Sequence, residues 1–487
     1  MPIQRIPLAD NIGSRDGTLD KDARTTNVVF EKSGQHHTII KRPGLTYVTQ
    51  ITPVTPPQLA LSQGMTNFKE NAICVVDNVV YKFDTGFLSV STIGATSSTL
   101  NRSYFAKMIL DSKLFFHNTI NGYTWDSTTF STVTLPEAGP FVPGTVFLDN
   151  WIFIGSSSSN KIYSSYIGDP SQWDANSNLV FEQTSDTLIG IAKHLNYLVA
   201  FGKSSTQFYY DSGVGTDTYS PLLPAQSYTM EVGCASGDSV VATDNTVWWI
   251  SYTKTHGRSV HLLDGVSPVK ISTNSIDKII EKDSLSKVSA FVYKFYGHTL
   301  YLLTLHNTGI TIVFDVEEKV WYQWTQWAMA SSDQPNAGTY FESYFRPTFY
   351  AQAANSGWVL DDDTAALYYF NSNIYQDNGQ PIYCRMITPI IDNGSTSRKF
   401  YGRLEVVGDK VDAIMRVRHS GDDYITWSSY RSVNLNSSRP QVYLGGADRR
   451  RAWEFLHTDN TPLRLESAEI EFRIGELDQE QNQGRRG

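Results

Sequence analysis

Short strands that follow one another in small antiparallel groups are the feature that most constrains this chain, and residues 297–327 show the pattern most clearly. Residues 299–305 are rich in Thr, Tyr and Leu, and polar turn residues separate them from a second apolar run at 310–315. A third run, rich in aromatic residues, occupies 320–324. Apolar side chains fill both alternating faces of the first two strands, so this meander needs cover on both sides. Neighbouring copies stacked face to face provide that cover in a β-propeller.

Strand pairs of the same kind recur along the chain. They occupy residues 72–84, 113–126, 151–166, 197–211, 246–264 and 348–370. Successive hairpins start about 35 to 55 residues apart, which is the spacing of four-stranded propeller blades. The spacing therefore predicts an all-β fold with a six- or seven-bladed β-propeller over residues 51–375.

Composition supports a β fold and limits the partners of the chain. Aromatic residues make up 13% of the 487 residues and charged residues only 18%, a mixture that favours strands over long solvated helices. The net charge of −9 provides no general attraction to nucleic acid or to anionic membranes, so any DNA contact is expected to be local or weak. The first ten residues lack the apolar core of a signal peptide, and we expect synthesis in the cytoplasm.

The regions outside the propeller differ in pattern. Residues 1–50 are predicted to form an extended N-terminal arm, and the proline-rich stretch 52–57 marks its boundary. Residues 376–475 contain six or more longer strands joined by polar turns, which predicts a C-terminal β-sandwich or barrel domain. The polar residues 476–487 are predicted to be a disordered tail.

One helix interrupts the strands. Residues 274–287 place Ile276, Ile279 and Ile280 on one face, and Asn274 or Ser275 is the predicted N-cap. We interpret this short amphipathic helix as a cap on the end of a blade rather than a docking helix for a partner.

The sequence contains no GxSxG or HExxH motif, no glycine-rich phosphate loop and no clustered set of His, Asp and Cys, so we predict that the protein is not an enzyme and has no catalytic residue, metal or cofactor. Cys74, Cys234 and Cys384 are far apart in the sequence and are interpreted as buried or free thiols. His36 and His37 are adjacent, but no third ligand is near them, and we interpret them as turn residues.

Three further groups have a structural interpretation and a weaker functional one. Residues 420–427, SGDDYITW, are similar to the Asp-box turn of sialidase-type propellers, with Tyr424 in place of the glycine. Asp361, Asp362 and Asp363 could bind a cation but are interpreted as a solvated turn. A third group is aromatic and could stack on a sugar or a base, although core packing is favoured. It consists of Trp321, Trp324 and Trp327.

The run Arg449, Arg450 and Arg451 is the one basic cluster within a predicted folded region. It is interpreted either as a solvated loop or as a contact with the carboxylates of a partner or with DNA phosphates.

Five stretches, taken in order, carry a resemblance that covers nearly the full length of the chain. They are MPIQ at 1–4, Arg42-Pro43-Gly44-Leu45, YLVAFGKSSTQFYY at 197–210, ISTNSIDKII at 271–280 and PLRLESAEIEF at 462–472. In these stretches the chain resembles the tail hub or nozzle proteins of short-tailed bacteriophages, also called packaged-DNA stabilisation proteins or tail accessory factors.

The resemblance implies a virion protein of the phage tail. Six copies would form a ring below the portal and its adaptor, extend the DNA channel, retain packaged DNA and pass it during ejection. The implied neighbours are the portal-adaptor ring and tail needle, fibre or tailspike proteins, with transient non-specific DNA contact. Two alternatives remain: a carbohydrate-binding or sialidase-like propeller, which the Asp-box-like turn and the tryptophans favour, and a receptor-binding tail adhesin.

Overall fold

The computed structural model describes residues 3–6, 8, 11–19, 21–33, 36–52, 59–97, 100–181, 186–214, 216, 219–243, 245–330 and 338–475. Most of the predicted boundary at 52–57, the first two residues of the stretch 1–4 and the predicted tail 476–487 lie outside these residues. The chain divides into two compact units. The propeller unit comprises Thr46–Thr311 and Ala328–Phe370, and the composite unit comprises Met1–Leu45, Ile312–Trp327 and Asn371–Gly487.

The propeller unit is a ring of six blade sheets, which confirms the predicted all-β propeller. Blades 1 to 3 consist of Ser62–Phe68, Asn71–Val76, Val79–Asp84 and Ser89–Ala95; Tyr104–Lys107, Leu114–His117, Gly122–Trp125 and Phe130–Val133; and Val146–Leu148, Trp151–Gly155, Lys161–Tyr166 and Asp169–Val180. Blades 4 to 6 consist of Leu188–His194, Tyr197–Gly202, Thr206–Asp211 and Leu222–Pro224; Gly233–Cys234, Val241–Thr243, Thr246–Thr253, Gly257–Asp264 and Ser267–Lys270; and Pro347–Ala353, Ser356–Asp361, Ala366–Asn371 and Gly44–Gln50.

An additional hairpin, Val288–Phe295 with His298–Leu305, lies between blades 5 and 6 in chain order. The rest of the meander that led to the propeller prediction consists of the strands Ile310–Asp315 and Val320–Met329. A short strand, Tyr340–Tyr344, precedes blade 6.

Apolar clusters between neighbouring blades hold the ring together. Blade 1 meets blade 2 through a buried cluster that includes Phe68, Ile73, Phe116 and Trp125, and similar clusters join blades 2 with 3, 3 with 4, and 4 with 5. A fully buried large apolar side chain contributes about 1.5–3 kcal/mol, so such interfaces supply the cover that both faces of each blade require.

The ring closes where blade 6 meets blade 1. Trp358 of blade 6 packs on Phe83 of blade 1, with the ring centroids 5.1 Å apart. The backbone N–H of Ser62 also donates to the carbonyl of Asp362 at 3.1 Å. Apolar contact and backbone hydrogen bonding therefore both join the first blade to the last.

The amphipathic helix is present but shorter than predicted. It spans Asn274–Lys282, and Ile276, Ile279 and Ile280 are buried as expected. Its N-cap is Thr273, whose side chain accepts a hydrogen bond from the Ile276 N–H, so the predicted caps Asn274 and Ser275 are wrong. The helix ends before 287 because Asp283 adopts an extended backbone conformation and accepts hydrogen bonds from the N–H groups of Leu285 and Thr308.

The composite unit contains two further sheets, which confirms an additional β domain. The first sheet has the order Val28–Ser33, His36–Lys41, Arg464–Ile474, Lys399–Gly408 and Gln441–Tyr443, with Ile3–Ile6 and Ala447–Asp448 attached to it. The second has the order Ile310–Asp315, Val320–Met329, Arg24–Thr26, Cys384–Ile387, Ala452–His457, Ile414–Ser420 and Arg431–Asn434. Two short strands, Gln376–Asp377 and Gln380–Pro381, pair with each other, and Asp377 also pairs in parallel with Leu45. Tyr401 of the first sheet and Trp453 of the second have their ring centroids 5.8 Å apart, as expected for packed sheets.

No helix among the described residues combines the length and the apolar character needed to cross a bilayer.

Candidate functional site

The predicted basic run Arg449–Arg451 divides into one buried and two exposed residues. Arg451 is only 1% exposed, its guanidinium bonds Asp448, and its Cζ lies 3.9 Å from the centroid of the Tyr401 ring. Arg449 and Arg450 are exposed on the turn that precedes it. Arg451 therefore holds the turn, and only its two neighbours present their charge to solvent.

Two more exposed arginines lie on the same sheet. Arg473 is directly opposite Phe400 in the register of the first sheet, and Arg398 immediately precedes the strand Lys399–Gly408. The Lys399 ammonium donates to the carbonyl of Arg449, which places the turn beside this end of the sheet. We call the six exposed residues Arg398, Phe400, Arg449, Arg450, Arg473 and Ile474 the basic edge. Within the described part of the chain, no carboxylate pairs with any of its four arginines.

The acidic cluster is buried, so its interpretation as a solvated turn is wrong. Asp361 and Asp362 are 4% and 3% exposed. Lys287 donates to Asp362 at 2.6 Å, and Arg346 donates to Asp363 at 2.8 Å. Both cations are distant in sequence, so the run of three aspartates alone could not reveal the pairing.

The charges of this cluster are tuned by burial. Burial and the neighbouring Asp363 raise the pKa of the Asp362 carboxyl to about 7. Burial, reinforced by the cationic Lys287, lowers the pKa of His306 to about 3, so this histidine is neutral in the folded protein. The cluster lies next to the junction of blades 6 and 1, and its chemistry is that of a structural ion-pair network.

The Asp-box-like segment is a structural turn, as interpreted. Asp422 accepts hydrogen bonds from the backbone N–H and the hydroxyl of Thr426. The Tyr424 ring is buried and packs 6.1 Å from the Trp427 ring. Tyrosine thus occupies the apolar space beneath the turn.

The remaining sequence candidates are also structural. Trp321 and Trp324 are buried, and Trp327 is half-buried with its ring 5.2 Å from that of Tyr383. All three cysteines are free and buried, and burial raises the pKa of each thiol to about 12. The strand His36–Lys41 begins at the paired histidines, and their backbone lies opposite Lys32 and Ser33 in the register.

A feature that sequence reasoning missed is a cavity of about 720 Å³ in the propeller unit. Its wall is formed by the first strands of successive blades and by the additional hairpin, so it lies along the axis of the ring. Its charged lining residues are Arg102, Lys107 and Lys193 against one carboxylate, Asp238. No motif marks this site, because each blade contributes only a few residues that are far apart in the sequence.

Arg102 reaches across one end of this cavity. Its Nη1 donates to the carbonyl of Val288 at 2.8 Å and lies 3.3 Å from Asp238 Oδ1. Its Cζ lies 4.8 Å from the centroid of the Phe349 ring. The Tyr104 hydroxyl donates to the same oxygen of Asp238, and burial raises the pKa of Tyr104 well above its ordinary value, so the phenol stays neutral. One side chain therefore contacts blades 5 and 6 and the hairpin from a position just before blade 2.

Comparison with curated proteins gave no match. Several solved structures share low similarity with the chain. A chain of the mitotic checkpoint complex is 13% identical, with a TM-score of 0.42 over 68% of this chain and 94% of that one. The Pan2 WD40 domain of Neurospora crassa is 11% identical, with a TM-score of 0.41 over 68% and 95%. BamB from Moraxella catarrhalis is 11% identical, with a TM-score of 0.37 over 76% and 98%. Because these TM-scores are below 0.5, nothing about this chain follows from them.

The family comparison is informative. Residues 30–375, well over half of the chain, match the phage-stabilisation family described as bacteriophage P22 Gp10, β-propeller. The match includes all six blades and the Arg42-Pro43-Gly44-Leu45 segment. The observed propeller agrees with that description, and the chain therefore belongs to this family of phage structural proteins that stabilise packaged DNA.

Proposed function

We propose that this phage structural protein forms a hexameric ring in the virion tail, as a nozzle or hub. In this role it extends the DNA channel below the portal and its adaptor, retains the packaged genome and passes it during ejection. The observation that carries the proposal is the family match over residues 30–375, which already makes the chain a structural protein for packaged DNA. We further propose that it is not an enzyme and that it is made in the host cytoplasm before assembly.

The charge distribution supports a surface along which DNA can move. Each chain carries a net charge of −9, so a ring of six copies repels DNA wherever that charge faces the channel. The basic edge provides the opposite charge at one local surface, where Arg449 and Arg450 are exposed. We propose that these two arginines contact DNA phosphates transiently and without sequence preference. Arg451 is left out of this contact because it is buried.

The proposed neighbours are the portal-adaptor ring and the needle, fibre or tailspike proteins of the tail. The arginines of the basic edge could instead bind carboxylates of such a neighbour, so DNA binding requires its own test. The Asp-box-like turn gives no support to a sialidase, because Asp422 bonds Thr426 and Tyr424 fills the space beneath it.

Native mass spectrometry tests the assembly. The purified chain, alone and with its portal and adaptor proteins, is expected to give a species of six chain masses. A chain that stays monomeric under both conditions would overturn the hexameric ring. Turnover of sialosides, measured on the same sample, would overturn the non-enzymatic assignment.

Salt-dependent DNA binding tests the basic edge. The assembled protein is titrated with duplex DNA at several salt concentrations, and the wild type is compared with R449S/R450S. Loss of two phosphate contacts reduces the slope of log affinity against log salt by about 1.8 per chain engaged. The matched control R416S/R431S changes two exposed arginines of the second sheet and should leave the slope unchanged. An unchanged slope in R449S/R450S would exclude the proposed DNA contact.

A further inference from the structure

Arg102 places hydrogen-bond donors on the wall of the axial cavity of the propeller. Its Nη1 is engaged by Val288 and Asp238, but within the described residues no acceptor meets its Nε or Nη2. These two atoms form one edge of the guanidinium plane, and that edge matches the two oxygens of a carboxylate. The cation is held in place from its other side, so the fork is already oriented in the free protein.

The other lining residues determine which charge a ligand of this cavity should carry and whether it should have an apolar part. Three cations face one carboxylate in the lining, although the whole chain is acidic, so the local charge favours an anion. Phe291, Phe349 and Tyr350 provide apolar surface, and the Phe291 and Tyr350 rings stack with centroids 5.7 Å apart. A volume of about 720 Å³ is in the range of sites for small organic molecules.

From these observations we propose that the axial cavity binds a small organic carboxylate. The carboxylate accepts hydrogen bonds from Nε and Nη2 of Arg102. The organic body rests on the aromatic wall. Lys107 and Lys193 contribute the long-range attraction. The site lies within a single propeller unit, so the inference does not depend on the hexameric assembly.

The test uses the purified full chain and three probes in isothermal titration calorimetry. Benzoate has a planar carboxylate on an apolar body, benzyl alcohol has the same body without the charge, and inorganic phosphate has the charge without the body. Benzoate is expected to bind at least about tenfold more tightly than either of the other two, because benzyl alcohol lacks the carboxylate and inorganic phosphate lacks the apolar body. Absence of benzoate binding at 10 mM, or equally tight binding of phosphate or benzyl alcohol, would overturn the proposal.

One variant locates the binding and two are controls. T348V is isosteric and removes a hydroxyl whose oxygen has less than 1 Å² of accessible surface, so it should bind benzoate as the wild type does. R102K keeps the charge but loses the planar fork, and should weaken binding about tenfold or more. The control R258K changes an arginine outside the cavity that bonds the carbonyl of Asp283, and should bind benzoate as the wild type does. Unchanged binding in R102K would show that benzoate binds elsewhere and would refute the site.

Discussion

Replacing Arg42 by methionine tests what holds the composite unit together. Arg42 is fully buried and all five of its N–H donors are used. Two go to the carboxylate of Asp377, at 2.5 and 3.0 Å, and the others go to Asn27 Oδ1 and to the carbonyls of Pro43 and Thr325. One side chain thus joins all three segments of the unit, 1–45, 312–327 and 371–487.

The expected cost follows from burial. Removing one partner of a buried ion pair leaves the other charge without compensation, which costs about 3–5 kcal/mol. Asp377 is 1% exposed, so in R42M its carboxylate would be the buried charge without a partner cation. In the double variant R42M/D377L neither charge remains, so the loss should be smaller than the sum of the two single losses.

Urea denaturation followed by hydrogen exchange and mass spectrometry is the suitable assay, because it reads the two units separately. In R42M, peptides from 371–387 should lose protection at lower urea than in the wild type, while peptides from blades 2 and 3 change little. The control R439M removes an ion pair to Glu405 on the exposed surface and should shift the midpoint far less. Equal shifts in R42M and R439M would refute the reasoning.

Three further predictions concern local features. G44A should destabilise the composite unit by about 1–3 kcal/mol in urea, because an added Cβ would lie 2.3 Å from the carbonyl of Gln376; a wild-type midpoint would contradict this close approach. T273A should lose about 0.5–2 kcal/mol through its helix cap, whereas S275A at the position wrongly predicted as the cap should lose less in the same assay. The raised pKa of Asp362 means that its contribution to stability is present below pH 3.8 and is lost as the pH rises through about 7. D362N should therefore flatten the fall of Tm between pH 6 and 8. If the Tm of D362N falls with the same slope as that of the wild type, this carboxyl is not the titrating group.

The sequence predicted the propeller because its signal is local and repeated. Apolar residues on both faces of short strands require stacked neighbours, and the buried clusters between blades show that arrangement. The buried face of the helix was predictable for the same reason. Its end was not, because Asp283 meets Thr308 only through the fold.

Charged groups were harder to interpret from sequence. The three aspartates at 361–363 looked solvated because their cations come from outside the turn: Lys287 lies 75 residues before Asp362, and Arg346 lies 17 residues before Asp363. Arg451 could not be distinguished from Arg449 and Arg450 until its pairing with Asp448 was visible. The segment that begins at Arg42 supported the resemblance without a physical reason, and the five hydrogen bonds of that arginine now provide one.

The most direct test of the central claim is a cryo-electron microscopy reconstruction of the intact virion tail. The account predicts a ring of six copies of this chain around the DNA channel below the portal and its adaptor, with Arg449 and Arg450 within reach of the DNA. A virion in which the chain is absent, or is present with another copy number or away from the channel, would contradict it.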